Sequence, residues 1–583
     1  MAEDQKTAEQ PTVPVPNTGF KKPKKNRPSL QSRIQGFKSW YGEHKKLAIP
    51  ASVLLLLVLL ALIPLTRYKI GGLFIKKDVT IYLVDDKSKG DIFNGYVRLD
   101  GKQATENRYV VPFTFHNVPI GSHKLEVTLK YYKDVTRNIK VDIGKAKQKN
   151  IQIRMTATGR LLNVRIKNSI SGEYLSGIQL KTGNFTTKTD EQGMATLVVD
   201  PNLQSADIQI LGEGYNELAT KMEVTPGATN FKIVGITPAG KIYFLSKLSG
   251  KIDVVKTNLD GTRRQTVLAG TGREDDRGTV LLASRDWKYL ALLSRRAGTS
   301  NSLYLINTAD DSTTVMDEGS VDFSLAGWSG DNFIYTLTRN NVPLWQNGRQ
   351  IVKSFNASTK KNQALDQTTG TGSSNYDYLT ETIGSVYAYE EQVFYIKNWT
   401  GDSLDNKQAT LNSIKPDGSS RRAIRSFGGA AGAYMVDLTV DVRIKSPNTI
   451  GLHFYDGDKD HFYSYANGQV KDDPSMSSDK FYGTGYPTYL LSPSGKNTFW
   501  SDPRDGKNTL FIGGEDGQDG KQIATLSEYN TYGWFTDDYL LVSKNSSELY
   551  IMGKDGKQTP LKISDYHKPA LTYPGYGGGY GGL

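Results

Sequence analysis

The chain has 583 residues, no cysteine and a formal net charge of +12. The missing thiols exclude disulfides, cysteine nucleophiles and thiolate metal sites, and the length predicts about two to four domains beyond any N-terminal segment. The charge at first suggests nucleic acid, but half of it lies in residues 1–46, where ten Lys and Arg stand against four acidic residues. The remaining excess is spread without a basic block, so no nucleic-acid partner is expected.

In chain order, residues 1–28 are rich in Pro, Lys, Thr and Asn and are too polar to form a core, which predicts disorder. The run Lys21–Arg27 reads as a segment lying on anionic headgroups or simply as a topology signal. Leu30, Ile34, Phe37 and Trp40 or Tyr41 recur at helical spacing, predicting a short amphipathic helix at the inner membrane surface. Then comes Leu47 to Thr66, LAIPASVLLLLVLLALIPLT, twenty residues without a charge. At about 1.5 Å per residue it reaches roughly 30 Å, the thickness of a hydrocarbon core, and predicts a transmembrane helix. A cleaved signal would need a small-x-small site, whereas this stretch runs into Arg67, Tyr68 and Lys69, and a lipoprotein signal would need a cysteine. An uncleaved single-pass signal-anchor is therefore expected. The basic excess before Leu47 predicts a cytoplasmic N-terminus and an extracytoplasmic C-terminal region at the plasma membrane.

Beyond the anchor, β-branched and aromatic residues alternate between Gly, Asp, Asn and Pro turns, with little helical period, which predicts an all-β region. The first unit spans 76–155, with strands near Val79–Val84, Tyr96–Leu99, Leu125–Tyr131 and Arg137–Ile143. Within it, Phe115 to Val127 contains Pro119, which sets φ, and Gly121, which permits the reversal into the next strand. This stretch resembles the PEGA-type surface domain. The second unit, 156–225, contains Ser171 to Leu180 and then Thr187-Lys-Thr-Asp190-Glu-Gln-Gly193-Met-Ala-Thr-Leu197. Asp190 can hold an Asx-turn while Gly193 takes a left-handed conformation. The pattern resembles the carboxypeptidase-regulatory-like β-sandwich, a family whose modules are structural spacers, which implies no peptidase chemistry here.

From residue 230 to 569 an apolar-aromatic strand recurs seven times: Ile242–Leu245, Tyr289–Leu293, Phe333–Leu337, Gln392–Ile396, Ile450–Tyr455, Thr498–Ser501 and Tyr539–Ser543. Intervals of about 40 to 60 residues match a four-stranded propeller blade with insertions, predicting a seven-bladed β-propeller, with six or eight blades as alternatives. The clearest copy, Leu491-Ser-Pro-Ser-Gly-Lys-Asn-Thr-Phe-Trp500, resembles the TolB-type propeller repeat, with Ser494 where that family usually has Asp. Residues 570–583 are a Gly/Tyr-rich stretch expected to be a flexible tail.

Catalytic signatures are missing: the chain has no G-x-S-x-G, no H-E-x-x-H and no phosphate-binding loop, and its one G-x-G-x-x-G, Gly577 to Gly582, lies in the low-complexity tail. No cofactor is expected. The run His453 to His461 places Asp456, Asp458 and Asp460 at alternate positions, as a calcium loop would, but lacks its later Glu and reads first as a hairpin turn. Pairing Tyr455 with His461 across that turn would put both histidines on one face. Trp287, Trp328 and Trp534 occupy positions that open a blade, where packing between blades explains them. Trp345 and Trp399 fall near polar hairpins and are expected to be exposed anchors for a partner, on loops 340–375 and 399–408. The expectation is a non-enzymatic, membrane-anchored envelope protein presenting a propeller to another protein or a wall polymer. The alternative is a propeller enzyme acting on envelope glycans or other extracytoplasmic substrates, which would need carboxylates converging on the central channel.

Overall fold

The structure, a computed structural model, describes residues 30–63, 72–93, 95–104, 112–144, 148–225, 230–276, 278–389, 391–428, 437–483, 490–504, 507–517, 519–523, 528–545 and 547–567. The polar segment 1–28, the flank Arg67–Lys69 and the Gly/Tyr-rich tail lie outside the described residues. The chain divides into two compact units, 1–160 with 226–228 and 161–225 with 229–583.

The first unit opens with two helices, α1 (Leu30–Glu43) and α2 (Lys45–Leu62). In α2 nearly every apolar side chain is exposed, Leu54 at 66% and Leu62 at 72% among them. The expected span is corrected at its C-terminal end: the helix stops at Leu62, and Ile63 is already extended (φ −76°, ψ 117°). Pro64 explains the stop, because the residue before a proline is driven out of the helical region. From Leu47 to Leu62 the helix covers about 24 Å at 1.5 Å per residue, and among the described residues no helix is long and apolar enough to cross a membrane.

A small sandwich follows. One sheet orders its strands Phe113–Pro119, Lys76–Asp85, Gln148–Met155, and the other Lys102–Gln103, Tyr96–Leu99, Gly121–Thr128, Val135–Val141. Alternation along Gly121–Thr128 puts His123, Leu125 and Val127 inward, against Val79, Ile81 and Leu83 of the facing sheet. Gly121 takes φ +147°, as the turn required. His123 spans that turn, with Nδ1 2.6 Å from Asp100 Oδ2 and Nε2 2.7 Å from the Pro119 carbonyl. One end of the sandwich is closed by a buried ion pair: Arg160 reaches both oxygens of Asp85, with Nη2 3.0 Å from Oδ1, and the Tyr132 hydroxyl donates to Oδ2 at 3.0 Å.

The second unit begins with another sandwich, and here the expected boundary moves. Strand Asn230–Ile236, expected in the repeat region, pairs in parallel with Arg160–Asn168 and completes a sheet of this sandwich. The Asp190 turn forms as the sequence implies: its Oδ1 accepts from the amides of Gln192 (2.9 Å) and Met194 (2.8 Å). Gly193 sits at φ +73°, where a Cβ would lie 2.6 Å from the Ile166 carbonyl, so no other residue fits.

From Ile242 to Asp565 the chain forms seven consecutive antiparallel sheets. Five of the seven strands read from sequence are the second strand of their sheet; Gln392–Ile396 lies in the third strand of the fourth sheet, after Gly370–Ser374 and Asp377–Tyr389, and Ile242–Ser246 begins its sheet, with no strand before it among the described residues. That edge receives one backbone bond from the residues after the last strand of the seventh sheet, His567 N–H to the Leu245 carbonyl at 2.8 Å. Neighbouring sheets share apolar clusters. One joins the sixth, seventh, first and second sheets, and others join the second to the third, the third to the fourth and the fourth to the fifth. Tryptophan indoles stitch the first strands together: Trp328 donates to the Leu282 carbonyl (3.1 Å), Trp534 to that of Leu490 (2.7 Å), and Trp287 to that of Trp534 (2.8 Å). All three are buried between sheets, as their positions predicted.

Polar ties repeat as well. The Tyr335 hydroxyl donates to Asp317 Oδ2 of the preceding sheet at 2.7 Å, with Lys353 Nζ 2.5 Å from the same oxygen. Tyr395 binds Asp366 in the same way at 2.8 Å beside Lys397, and Tyr243 binds Asp311 at 2.9 Å beside Lys256. Burial, with the adjacent carboxylate second, pushes all three phenols above their ordinary pKa, so they remain donors.

Candidate functional site

In an antiparallel meander, the turn after the first strand and the turn after the third lie at one end of the sheet, and the turn after the second lies at the other. Five consecutive sheets, the second to the sixth, with the fourth counted from Asp377–Tyr389 and its preceding strand Gly370–Ser374 set aside, bring turns of the first kind together around a cavity of about 860 Å³. The second sheet supplies Arg285 and Asp286, the third Trp328, Gly330 and Asp331, and the fourth Tyr387, Ala388, Tyr389, Glu391, Gln392 and Phe394. The fifth supplies Ile444, Ser446, Pro447, Asn448, Ile450, Tyr465, Asn467 and Gly468, and the sixth Leu491, Pro493 and Glu515.

The walls are aromatic and the mouth is acidic. Trp328, Tyr387, Phe394 and Tyr465 are buried between sheets, while Tyr389 is half-buried. Burial raises the Tyr387 and Tyr465 phenols above their usual pKa. For Asp286 burial acts in the same upward direction, but hydrogen bonds from Lys288 and Ser284 outweigh it and hold the carboxyl below its ordinary value. Asp331 accepts from the Ser358 hydroxyl. Among the described residues, none of Asp331, Glu391 and Glu515 is in an ion pair within 4 Å, and neither is Arg285, the single basic residue of the lining.

The tryptophans chosen from sequence lie elsewhere. Trp345 follows the second strand of the third sheet and Trp399 lies near the end of Gln392–Gly401 in the fourth, so both are at the end of the sheets opposite the cavity. They are half-buried rather than exposed, and Lys407 Nζ sits 4.4 Å from the Trp399 ring centroid. Between them projects a hairpin, Gly370–Ser374 with Asp377–Tyr389, whose tip residue Tyr376 is 92% exposed. Sequence reasoning passed over it because one Tyr among Gly, Ser and Asn carries no periodic signal.

The histidine hairpin is also corrected. Tyr455 pairs with Asp460 and Phe454 with His461, one residue away from the expected register, so His453 and His461 lie on opposite faces. Asp456 makes this register: its Oδ1 accepts from the amides of Asp458 and Lys459, both at 2.9 Å, and Oδ2 lies 2.5 Å from His461 Nε2. Its oxygens are thus engaged within the turn. His453 is enclosed on the other face, with Nε2 2.7 Å from Asp460 and Nδ1 2.6 Å from the Tyr482 hydroxyl.

No protein-family model matches the chain, and no curated protein matches it. Among solved structures, the β-propeller domain of the Trilobed protease from Pyrococcus furiosus is similar at 11% identity over 56% of this chain and 95% of that one, with a TM-score of 0.34. An acylaminoacyl peptidase from Pyrococcus horikoshii is similar at 12% identity over 57% of this chain and 52% of its own, with a TM-score of 0.33. TolB from Acinetobacter baumannii is similar at 13% identity over 54% of this chain and 74% of its own, with a TM-score of 0.24. Likeness at this level transfers no site or chemistry. It does correct one expectation, that the chain is not an enzyme: peptidases, including prolyl endopeptidases and a dipeptidyl peptidase 4 from Porphyromonas gingivalis, stand among the matches beside TolB. Resemblance to TolB therefore gives no ground for excluding catalysis.

Proposed function

We propose that this is a membrane-tethered envelope protein whose seven sheets close into a propeller and bind a macromolecular partner, a protein or a wall polymer, in the cavity at the first-turn end. The observation that carries the reading is the convergence of five sheets on one cavity of about 860 Å³, a size and a mixed aromatic and polar lining suited to ligand binding. Two further features support it. The shared cluster of the sixth, seventh, first and second sheets, with the His567 bond to Leu245, brings the two ends of the series together. Among the described residues the apolar side chains of α2 are mostly exposed, which suits a helix solvated by lipid, and the basic N-terminal excess favours a cytoplasmic N-terminus. In this reading the two small sandwiches, PEGA-like and carboxypeptidase-regulatory-like, are spacers between membrane and propeller. Trp345 and Trp399 would form a secondary contact at the opposite end.

The test compares the two ends. Ala388→Trp fills the cavity, and a Trp345→Ala, Trp399→Ala double variant strips the other end, each used to recover partners from envelope extracts. Loss of the partner in the first with an unchanged melting temperature supports the cavity. Loss only in the second overturns it. A second reading, an envelope hydrolase, is favoured by the carboxylates Asp331, Glu391 and Glu515 on the cavity wall. Turnover of wall glycans or peptides that Ala388→Trp abolishes would establish it.

A further inference from the structure

We infer that the cavity takes a cationic peptide segment, so that of the two partner classes above the occupant is a protein presenting Lys or Arg side chains rather than a neutral or anionic polymer. The inference rests on the proposed binding role of the cavity and adds the chemistry of what enters it.

The chain is basic overall, yet the lining runs the other way. Asp286, Asp331, Glu391 and Glu515 face a single Arg285, in a protein with twelve more basic than acidic residues. Asp286 is already held by Lys288, 2.6 Å away, and has little left to offer a ligand. The other three are in no ion pair among the described residues, and Glu391 and Glu515 are exposed at the mouth. A neutral sugar would leave their charge without a counterpart, and a phosphate-bearing or carboxylate-bearing polymer would be repelled. An ammonium or guanidinium meets carboxylates at the mouth and aromatic edges and faces further in, where the half-buried Tyr389 ring suits the apolar stem and the charge together. Their placement on turns of the third, fourth and sixth sheets spreads the carboxylates around the rim, which fits several cationic side chains on one segment better than a single amine.

The test uses the full chain in detergent or nanodiscs and calorimetric titration with three probes: pentalysine, pentaglutamate and maltopentaose. Pentalysine alone should bind, at least tenfold more weakly between 50 and 500 mM salt as its counterions compete (on the order of one decade for a few screened pairs). A Glu391→Gln, Glu515→Gln double variant, which keeps shape and removes charge, should weaken it by about tenfold or more, and Ala388→Trp should abolish it. Pentalysine binding equally to parent and both variants would mean attachment elsewhere and overturns the inference. So does maltopentaose or pentaglutamate binding in its place, or no probe binding at all. These failures leave the proposed function standing if Ala388→Trp still loses the envelope partner. If that variant recovers the partner as well as the parent, the proposed function itself falls.

Discussion

The small sandwich between Lys76 and Met155 and the sheet series between Ile242 and Asp565 are both antiparallel in the main, yet they hold themselves together differently. The sandwich has one core, a single cluster from Val79 to Met155 closed at one end by Asp85 and Arg160. The series has no centre of that kind. Its apolar residues are divided among clusters that each belong to two or more neighbouring sheets, and the indoles and Tyr–Asp ties run between sheets rather than within them. Damage to the first should stay local, and damage to the second should spread along the series.

The largest test of that contrast is Trp534→Ala. Trp534 is fully buried, donates to Leu490 and accepts from Trp287, so its removal leaves a large cavity and an orphaned carbonyl. A loss of roughly 4 kcal/mol is expected, with hydrogen exchange accelerating in Ile242–Ser246 and Tyr289–Ser294 as well as in its own sheet. Acceleration confined to Tyr529–Asp565 would refute the shared-core account.

Arg160→Met is the matching break in the sandwich. It leaves the Asp85 carboxylate buried beside only Tyr132 and the amides of Lys87 and Ser88, at a cost of roughly 3 kcal/mol. Exchange should rise in residues 76–155 and nowhere in 242–565. The same pair sets an acid limit. Burial pushes the Asp85 pKa up, but bonds from Arg160, Ser88 and Tyr132 outweigh it and hold the folded value below the ordinary carboxylate range. A depressed acid stabilises the fold in full above its unfolded pKa of about 3.9 and loses that contribution as pH falls through the folded value. Unfolding curves of the parent should therefore steepen below about pH 4, and those of Arg160→Met should steepen less.

Tyr335→Phe sharpens the comparison at smaller scale. It removes the donor to Asp317 while Lys353 and Asn362 remain, so about 1.5 kcal/mol should be lost, visible as a lowered melting temperature. Smallest is Tyr482→Phe, at about 0.5 kcal/mol: it removes the hydroxyl that joins Asp441 to His453 Nδ1, leaving those two 3.5 Å apart, and should speed exchange only in the short helix Ser478–Gly483 and the fifth sheet. A global effect would mean that this contact belongs to the shared framework.

Strands were legible where a short apolar run lies between polar turns. Ile450 to Phe454, or Leu540 to Val542, announces a strand buried on both faces. Register was less legible, as the histidine hairpin shows: the choice between pairing Tyr455 with Asp460 or with His461 was made by the Asp456 side chain, and one residue exchanged the faces. The strand Asn230–Ile236 was misassigned because a parallel partner some seventy residues earlier leaves no local trace.

By itself the sequence determined the all-β character, the seven recurrent strands, the turns at Gly121 and Asp190 and the inward position of Trp287, Trp328 and Trp534. These depend on periods of two and on residues whose backbone or bulk admits few environments. Only the tertiary structure decided which end of the sheets carries a cavity, that Trp345 and Trp399 lie at the other, and that Asp85 meets Arg160 across 75 positions of chain. Those facts arise when turns from five separate sheets meet in space, and no local pattern encodes a meeting between segments that far apart.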